Sequence, residues 1–395
     1  MTDDAARMRT THVGSLVRPD ELVAYLRTID AEEHYDKLAY EDCLTRSVRE
    51  VVQAQHDAGI DIVSDGEFGK SAWNYYVYER LGGIELRLHP PGGANFASVN
   101  DAPTDWTRFP DFYAEYFAKE QEFESPGGDW ACIGPVTYTG GDVIARDIAN
   151  LKAAMEAAGV EEGFLPVVAP ASCFPNLIDE HYGSEQAALL GIAEAMAEEY
   201  RAIVDAGLYV QIDDAYIPFM YDVLVPPGSM DDYRAWAQPR IDALNHALEG
   251  IPEDRVRYHV CWGSWNGPHT NDIALRDILD LVFQVNAGTY LYEHANPRHE
   301  HEWRVWEDVE LPAGKKLAPG VISHATNVVE HPELVAERLE RTARLVGPEN
   351  VLASTDCGFA QGPYIHRVHP TIQWAKFRSL AEGARLASGA LNATH

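Results

Sequence analysis

The stretch that decides the fold runs from Glu185 to Ala206, then Gly207, then Leu208-Tyr209-Val210-Gln211-Ile212, then Asp213-Asp214. A long helical pattern stops at a glycine, passes into a short apolar run that reads as a strand, and ends on two carboxylates. Glycine suits the stop because helices commonly close through a left-handed residue, which costs a residue with a Cβ more. The same order appears on both sides. Cys43 to Ala58 leads through Gly59 and Ile60-Asp61-Ile62-Val63 to Asp65-Gly66-Glu67, and Ala149 to Gly159 leads to Phe164-Leu165-Pro166-Val167-Val168 and Ser172-Cys173. Asp277 to Ala287 passes Gly288 and Thr289-Tyr290-Leu291-Tyr292 to reach Glu293, and Pro332 to Leu345 passes Gly347 and Val351 to Ser354 to reach Asp356-Cys357.

Chemically capable residues follow the strand each time. A (β/α)8 TIM-type barrel gathers the C-terminal ends of its parallel strands around one site, so the pattern predicts that α/β fold over residues 1–395 as a single catalytic domain. A doubly wound open sheet also puts ligands at strand ends, but no Gly-x-Gly-x-x-Gly follows a strand and no P-loop is present. Residues about 68–130 break the rhythm with Pro90-Pro91-Gly92-Gly93 and many aromatics, among them Trp73, Tyr76, Trp106, Tyr113, Tyr116 and Phe117. They read as an aromatic-rich insertion after the first strands, either walling a pocket or packing a satellite cluster.

The balance of 31 Lys+Arg against 62 Asp+Glu gives a net charge of −31, which opposes binding to nucleic acid or to an anionic membrane. No basic leader or long apolar run is present, and five scattered cysteines do not form a disulfide framework. The expectation is a cytoplasmic protein, compatible with a homo-oligomer.

Arg255 to Cys261 reads as another strand, whose alternation puts His259 and Cys261 on one face. Imidazole and thiolate are zinc ligands, and a catalytic zinc takes three protein ligands while keeping a position open. Cys357, beyond a later strand, is the candidate third ligand, and Glu293 is a candidate fourth, exchangeable one. Each also has a plain reading: buried cysteines as small hydrophobes, a hydrogen-bonded histidine, and Glu293 paired with Arg298.

The chain resembles the cobalamin-independent methionine synthase superfamily in its C-terminal catalytic barrel, together with the related epoxyalkane:coenzyme M transferases. The likeness rests on Thr11-His12-Val13-Gly14-Ser15, Ser64-Asp65-Gly66-Glu67-Phe68, Ile133-Gly134-Pro135-Val136-Thr137, Gln211-Ile212-Asp213-Asp214, His259-Val260-Cys261 and Thr355-Asp356-Cys357-Gly358. It implies a zinc on His259, Cys261, Cys357 and Glu293, and an acceptor amino acid held by Gly14, Ser15, Glu67 and Asp213. Here Gly-Pro-Val-Thr continues as Tyr138-Thr139-Gly140-Gly141-Asp142, without the folate-stacking tryptophan of the full-length synthases.

The expected partners are therefore a small thiol and an alkyl donor that is not read as folate. Zinc would make the thiol a nucleophile, and His369, His324 or Asp213 would supply the proton for the leaving group. Retention of both Glu67 and Asp213 favours a homocysteine-like acceptor for methyl transfer over coenzyme M adding to an epoxide. A zinc hydrolase and a non-catalytic zinc-binding protein are the readings from other classes.

Overall fold

The computed structural model describes residues 7–31, 33–88, 103–120, 128–173 and 177–393; Pro90 to Gly93 lie outside them. Seven parallel strands form one curled sheet in the order β1 (Ile62–Ser64), β4 (Glu162–Val168), β6 (Tyr209–Asp214), β7 (Val256–Val260), β8 (Thr289–Tyr292), β9 (Lys316–Ile322) and β10 (Ser354–Thr355). Residues 9–11 fill the remaining gap. The Thr11 N–H donates to Ala353 O and the Ala353 N–H to Arg9 O, while Asp61 and Ile62 donate to Thr10 O on the other side. The sheet thus closes as an eight-membered barrel, with helices such as Lys37–Asp57, Gly141–Ala158 and Glu185–Asp205 outside.

Alternation sorts the side chains of β7. Arg257 and His259 face inward, Arg257 donating to His12 O and lying over the Phe164 ring at 3.8 Å. Tyr258 faces out and donates to Asp214 Oδ2 at 3.0 Å. Val13, Leu291, Ala318 and Leu352 form a small apolar cluster drawn from neighbouring chain segments of the wall.

Several sequence expectations shift by a few residues. Asp213 and Asp214 belong to β6 itself, whereas Cys261 lies one residue past β7. Gly59, Gly159, Gly207 and Gly347 have positive φ, but Gly288 does not end its helix, which stops at Val282; its missing Cβ instead makes room for Glu253 O, 2.7 Å from where the Cβ would lie. β9 gave no sequence signal because Pro319 and Gly320 interrupt it. Gly320 is required there, since a Cβ would come within 2.4 Å of the Asp356 Cα.

The aromatic-rich segment leaves and rejoins the barrel through β2 (Leu81–Leu88) and β3 (Gly128–Tyr138), an antiparallel pair to which β5 (Leu177–Asp179) adds in parallel. Its helices Thr104–Arg108 and Pro110–Glu120 pack on loops at the C-terminal mouth of the barrel. Asp105 accepts from the Thr270 N–H, Tyr113 from Trp265 Nε1 at 3.3 Å, and Tyr116 from Arg367 Nη1 at 2.9 Å.

Candidate metal centre

β7 delivers His259 to the mouth, and β6 beside it delivers Asp213, its register partner. The His259 Nδ1 donates to Asp213 Oδ1 at 2.9 Å, and that same oxygen accepts from Gln211 Nε2 at 2.9 Å. This fixes the imidazole, so Nε2 points away from the wall. Nε2 is buried and has no hydrogen-bond partner among the described residues.

The two cysteines meet it. Cys261 Sγ and Cys357 Sγ lie 3.7 Å apart, both buried and neither in a disulfide, and one donor atom from each of His259, Cys261 and Cys357 falls within 4.8 Å of the others. An orphaned imidazole nitrogen facing two thiols, with a carboxylate behind the imidazole, is the donor set and outer-shell arrangement of a zinc site. Burial alone would lower the His259 pKa, but the hydrogen bond and charge of Asp213, with Cys357 and Glu293 adding to them, bring it to about 9. The Cys261 thiol is pushed well up by its hydrogen bond to Cys357 and by burial. A cation replacing those protons would relieve both.

Cys357 is held by its neighbour. Asp356 Oδ1 accepts from the His294 and Ala295 N–H groups at 2.7 Å each, tying the end of β10 to the end of β8. Glu293 is fully buried there. Its Oε1 accepts from the Trp262 N–H at 3.0 Å and lies 3.5 Å from Cys261 Sγ, while Oε2 accepts from Asn296 at 2.6 Å and Arg298 at 2.9 Å. Burial would raise its pKa, but Arg298, with His324 and His299, holds it down at about 2. A charged carboxylate therefore stands beside the sulfurs.

The other predicted residues fall into two groups. Gly14, Ser15, Glu67 and Asp213 share the mouth: the Leu16 N–H donates to Gly66 O, the Phe359 N–H to Ser15 O, and Gln211 to Val13 O. Gly14 has φ +133°, and a Cβ there would meet Pro166 Cγ at 2.5 Å. Ser15 Oγ is buried without a partner among the described residues. Glu67 holds φ +62°, a conformation rare outside glycine that costs about 1–3 kcal/mol and clusters at functional sites. Burial raises the Glu67 pKa to about 7, with Lys70 opposing and Asp213 adding to the rise.

The proton-donor candidates separate. His324 is buried, with Nδ1 unpartnered among the described residues, and groups with Glu293 and Asp356 within 4.8 Å. His369 is exposed and caps the N-terminus of the helix Pro370–Asn392. Sequence reasoning assigned no role to Gln211, Asn296 or Lys70, whereas the pairing of Glu293 with Arg298 that it offered is present at 2.9 Å. Gln211 could have been found, because it stands two residues before Asp213 on the same face of a strand.

A β/α barrel brings an imidazole, two thiols and a carboxylate together at the C-terminal ends of its strands, a group that could hold a metal ion. No protein-family model matches the chain. It is 23% identical to 2-hydroxypropyl-CoM lyase from Xanthobacter autotrophicus, over 95% of this chain and 94% of that one, and 23% identical to methionine synthase from Sulfolobus acidocaldarius, over 91% and 87%. Its fold is that of a B12-independent methionine synthase from Shewanella sp. W3-18-1, solved with selenomethionine: TM-score 0.72, 20% identity, 98% of this chain and 100% of that one. The chain is thus similar over nearly its whole length to these methionine synthases and to the lyase, and shares the fold of the B12-independent methionine synthase. No helix among the described residues is long and apolar enough to cross a membrane.

Proposed function

We propose that this chain holds one zinc ion through His259 Nε2, Cys261 Sγ and Cys357 Sγ, and transfers an alkyl group, methyl in the first instance, to a homocysteine-like thiol. The observation that carries the reading is the buried His259 ring, its Nε2 unpartnered among the described residues and one of its nitrogens within 4.8 Å of two sulfurs that lie 3.7 Å apart. When bound, zinc lowers the pKa of a thiol and, with two anionic sulfur ligands, leaves it nucleophilic. Every other part of the work falls to the chain. Asp213 and Gln211 fix the His259 ring, and Arg298 and Asn296 hold Glu293 so that only Oε1 faces Cys261.

Gly14 and Ser15 offer a backbone and a hydroxyl for the acceptor's carboxylate, and Glu67 and Asp213 offer charge for its ammonium. His324, lowered to about 4 chiefly by burial, is a neutral imidazole at physiological pH. Its buried Nδ1, unpartnered among the described residues, would be free to relay a proton toward the leaving group rather than to store one. Similarity to the methionine synthases and to the lyase over most of the chain supports this class of reaction.

Thiol addition to an epoxide is the second reading, favoured by the lyase relative, which matches over 95% of this chain. X-ray absorption at the zinc edge of the purified protein, with and without homocysteine or coenzyme M, separates the two. Homocysteine should exchange one O/N scatterer for sulfur. Exchange with coenzyme M alone overturns the acceptor, and zinc bound without two sulfur ligands overturns the whole reading.

A further inference from the structure

Asp213 touches two parts of the mouth at once. One oxygen, Oδ1, is fully used by His259 Nδ1 and Gln211 Nε2. The other has no hydrogen bond among the described residues, and the side chain keeps 13% of its surface accessible in an otherwise buried setting. Glu67 is near enough for the charge of Asp213 to act on it, and Gln211, which donates to Asp213 Oδ1, also donates to Val13 O at the start of the Gly14-Ser15 turn. In that turn Ser15 Oγ is buried and has no hydrogen-bond partner among the described residues.

Resting on the zinc and amino-thiol reading above, we infer that Asp213 is a positioning residue that couples the two sites: an ammonium docking on its open oxygen weakens its hold on His259. The carboxylate shares one negative charge between its oxygens. Drawing that charge toward Oδ2 makes Oδ1 a poorer acceptor for the Nδ1–H, and the imidazole becomes a weaker electron donor at Nε2. Recognition of the amino group is thereby felt at the ligand that faces the two sulfurs. Gln211 is the brake on this device, because its amide pins Oδ1 in place while Oδ2 is left to respond.

Coupling of this kind is reciprocal, so it can be read without turnover: the amino ligand and the metal must change each other's affinity by the same factor. The probe is 2-aminobutanoate, which has the acceptor's ammonium and carboxylate but no sulfur, with butanoate as control. Zinc affinity of the full chain is measured by chelator competition with each compound at saturation. The expected result is that 2-aminobutanoate weakens zinc binding about five-fold or more and butanoate leaves it unchanged. In Asp213→Asn the zinc affinity itself falls about 10–100-fold and the effect of 2-aminobutanoate disappears, whereas in Glu67→Gln the effect persists at a higher ligand concentration.

Absence of any shift with 2-aminobutanoate, an equal shift with butanoate, or a shift that survives in Asp213→Asn overturns the coupling. Stoichiometric zinc on His259 and both cysteines in those same samples leaves the proposed function standing. Failure of the unsubstituted chain to bind zinc overturns both. Should Asp213→Asn not fold, Gln211→Leu supplies the second arm. It frees Oδ1 from its second donor and should enlarge the effect of 2-aminobutanoate, and a reduced effect overturns the proposal.

Discussion

The loops after β7 and β8 and the helices of the insertion pack against each other at the mouth, yet they are held by different means. Between Cys261 and Glu302 the bonds are buried and charged: Arg298 joins Glu293 to Asp272 at 2.9 and 2.7 Å, and His299 joins Asp272 to Glu302. Between residues 103 and 120 they are mostly single bonds to hydroxyls: Trp265, the Asn266 N–H and Arg367 donate to Tyr113 and Tyr116, and Arg108 donates to Thr270, whose N–H and hydroxyl donate to Asp105. A buried ionic net is intolerant of any missing member, whereas a surface held by separate weak contacts can change one at a time. The first suits a constant metal site and the second suits a wall that shapes the access of a partner.

The largest expected effect lies in the ionic net. Arg298→Met leaves Glu293 buried and charged without its strongest partner, and should cost about 3–5 kcal/mol in the metal-free protein, read by denaturant unfolding. A loss under about 1 kcal/mol would erase the distinction between the two regions.

The acid limb sharpens it. Burial would raise Asp272, but His269, His299 and Arg298 bring it to about 2, below the ordinary 3.8. Its folded pKa is depressed, so its stabilisation is present above about pH 4 and is lost as pH falls toward 2, about 2 kcal/mol in all. Burial instead raises Asp222, which accepts from Asn271 and from the Asp105 N–H, so its contribution has the other sign and weakens as pH rises. Unfolding free energies of the metal-free chain and of Asp272→Asn, compared between pH 5 and 2.5, should converge by about 2 kcal/mol. A constant gap would show that the net does not hold the charge of Asp272.

The smallest effect is expected from Tyr116→Phe, which removes a hydroxyl bonded to Arg367 and to the Asn266 N–H. It should cost about 1 kcal/mol or less and leave zinc content unchanged while shifting the KM for the alkyl donor. Loss of zinc in that variant would make the insertion part of the metal site.

These two regions also mark where the amino-acid sequence could be read. His259 and Cys261 share a face because alternation along a strand is a local rule, and Asp213, two residues past Gln211, obeys the same rule. The third proposed ligand, Cys357, needed the barrel as an intermediate, since only closure of the sheet brings the end of β10 to the end of β7. Arg298 could be paired with Glu293 from their proximity in the chain, but Asn296 was invisible as part of the site because its contact with Glu293 exists only once the loop after β8 has folded back. β2 and β3 were missed because Gly82 and Gly83 interrupt one and Gly134-Pro135 the other; Gly83 has φ +80°, and a Cβ there would meet Pro135 O at 2.3 Å. His369 looked available because a histidine before a proline gives no hint that its ring will cap the helix that follows.

The closing stave of the barrel, residues 9–11, has a consequence for how the protein is assembled. The Val13 N–H donates to Thr355 Oγ1 across 342 residues of intervening chain, and Gly358 packs against Ser15 where a Cβ would come within 2.6 Å. Contacts between such distant segments carry the largest loop-closure cost and are typically made late in folding. Cys357 stands on one side of that junction and the Gly14-Ser15 turn on the other. Uptake of the ion by nascent or refolding chains should therefore follow circularisation of the wall, so that the rate of zinc capture reports when the last gap shuts.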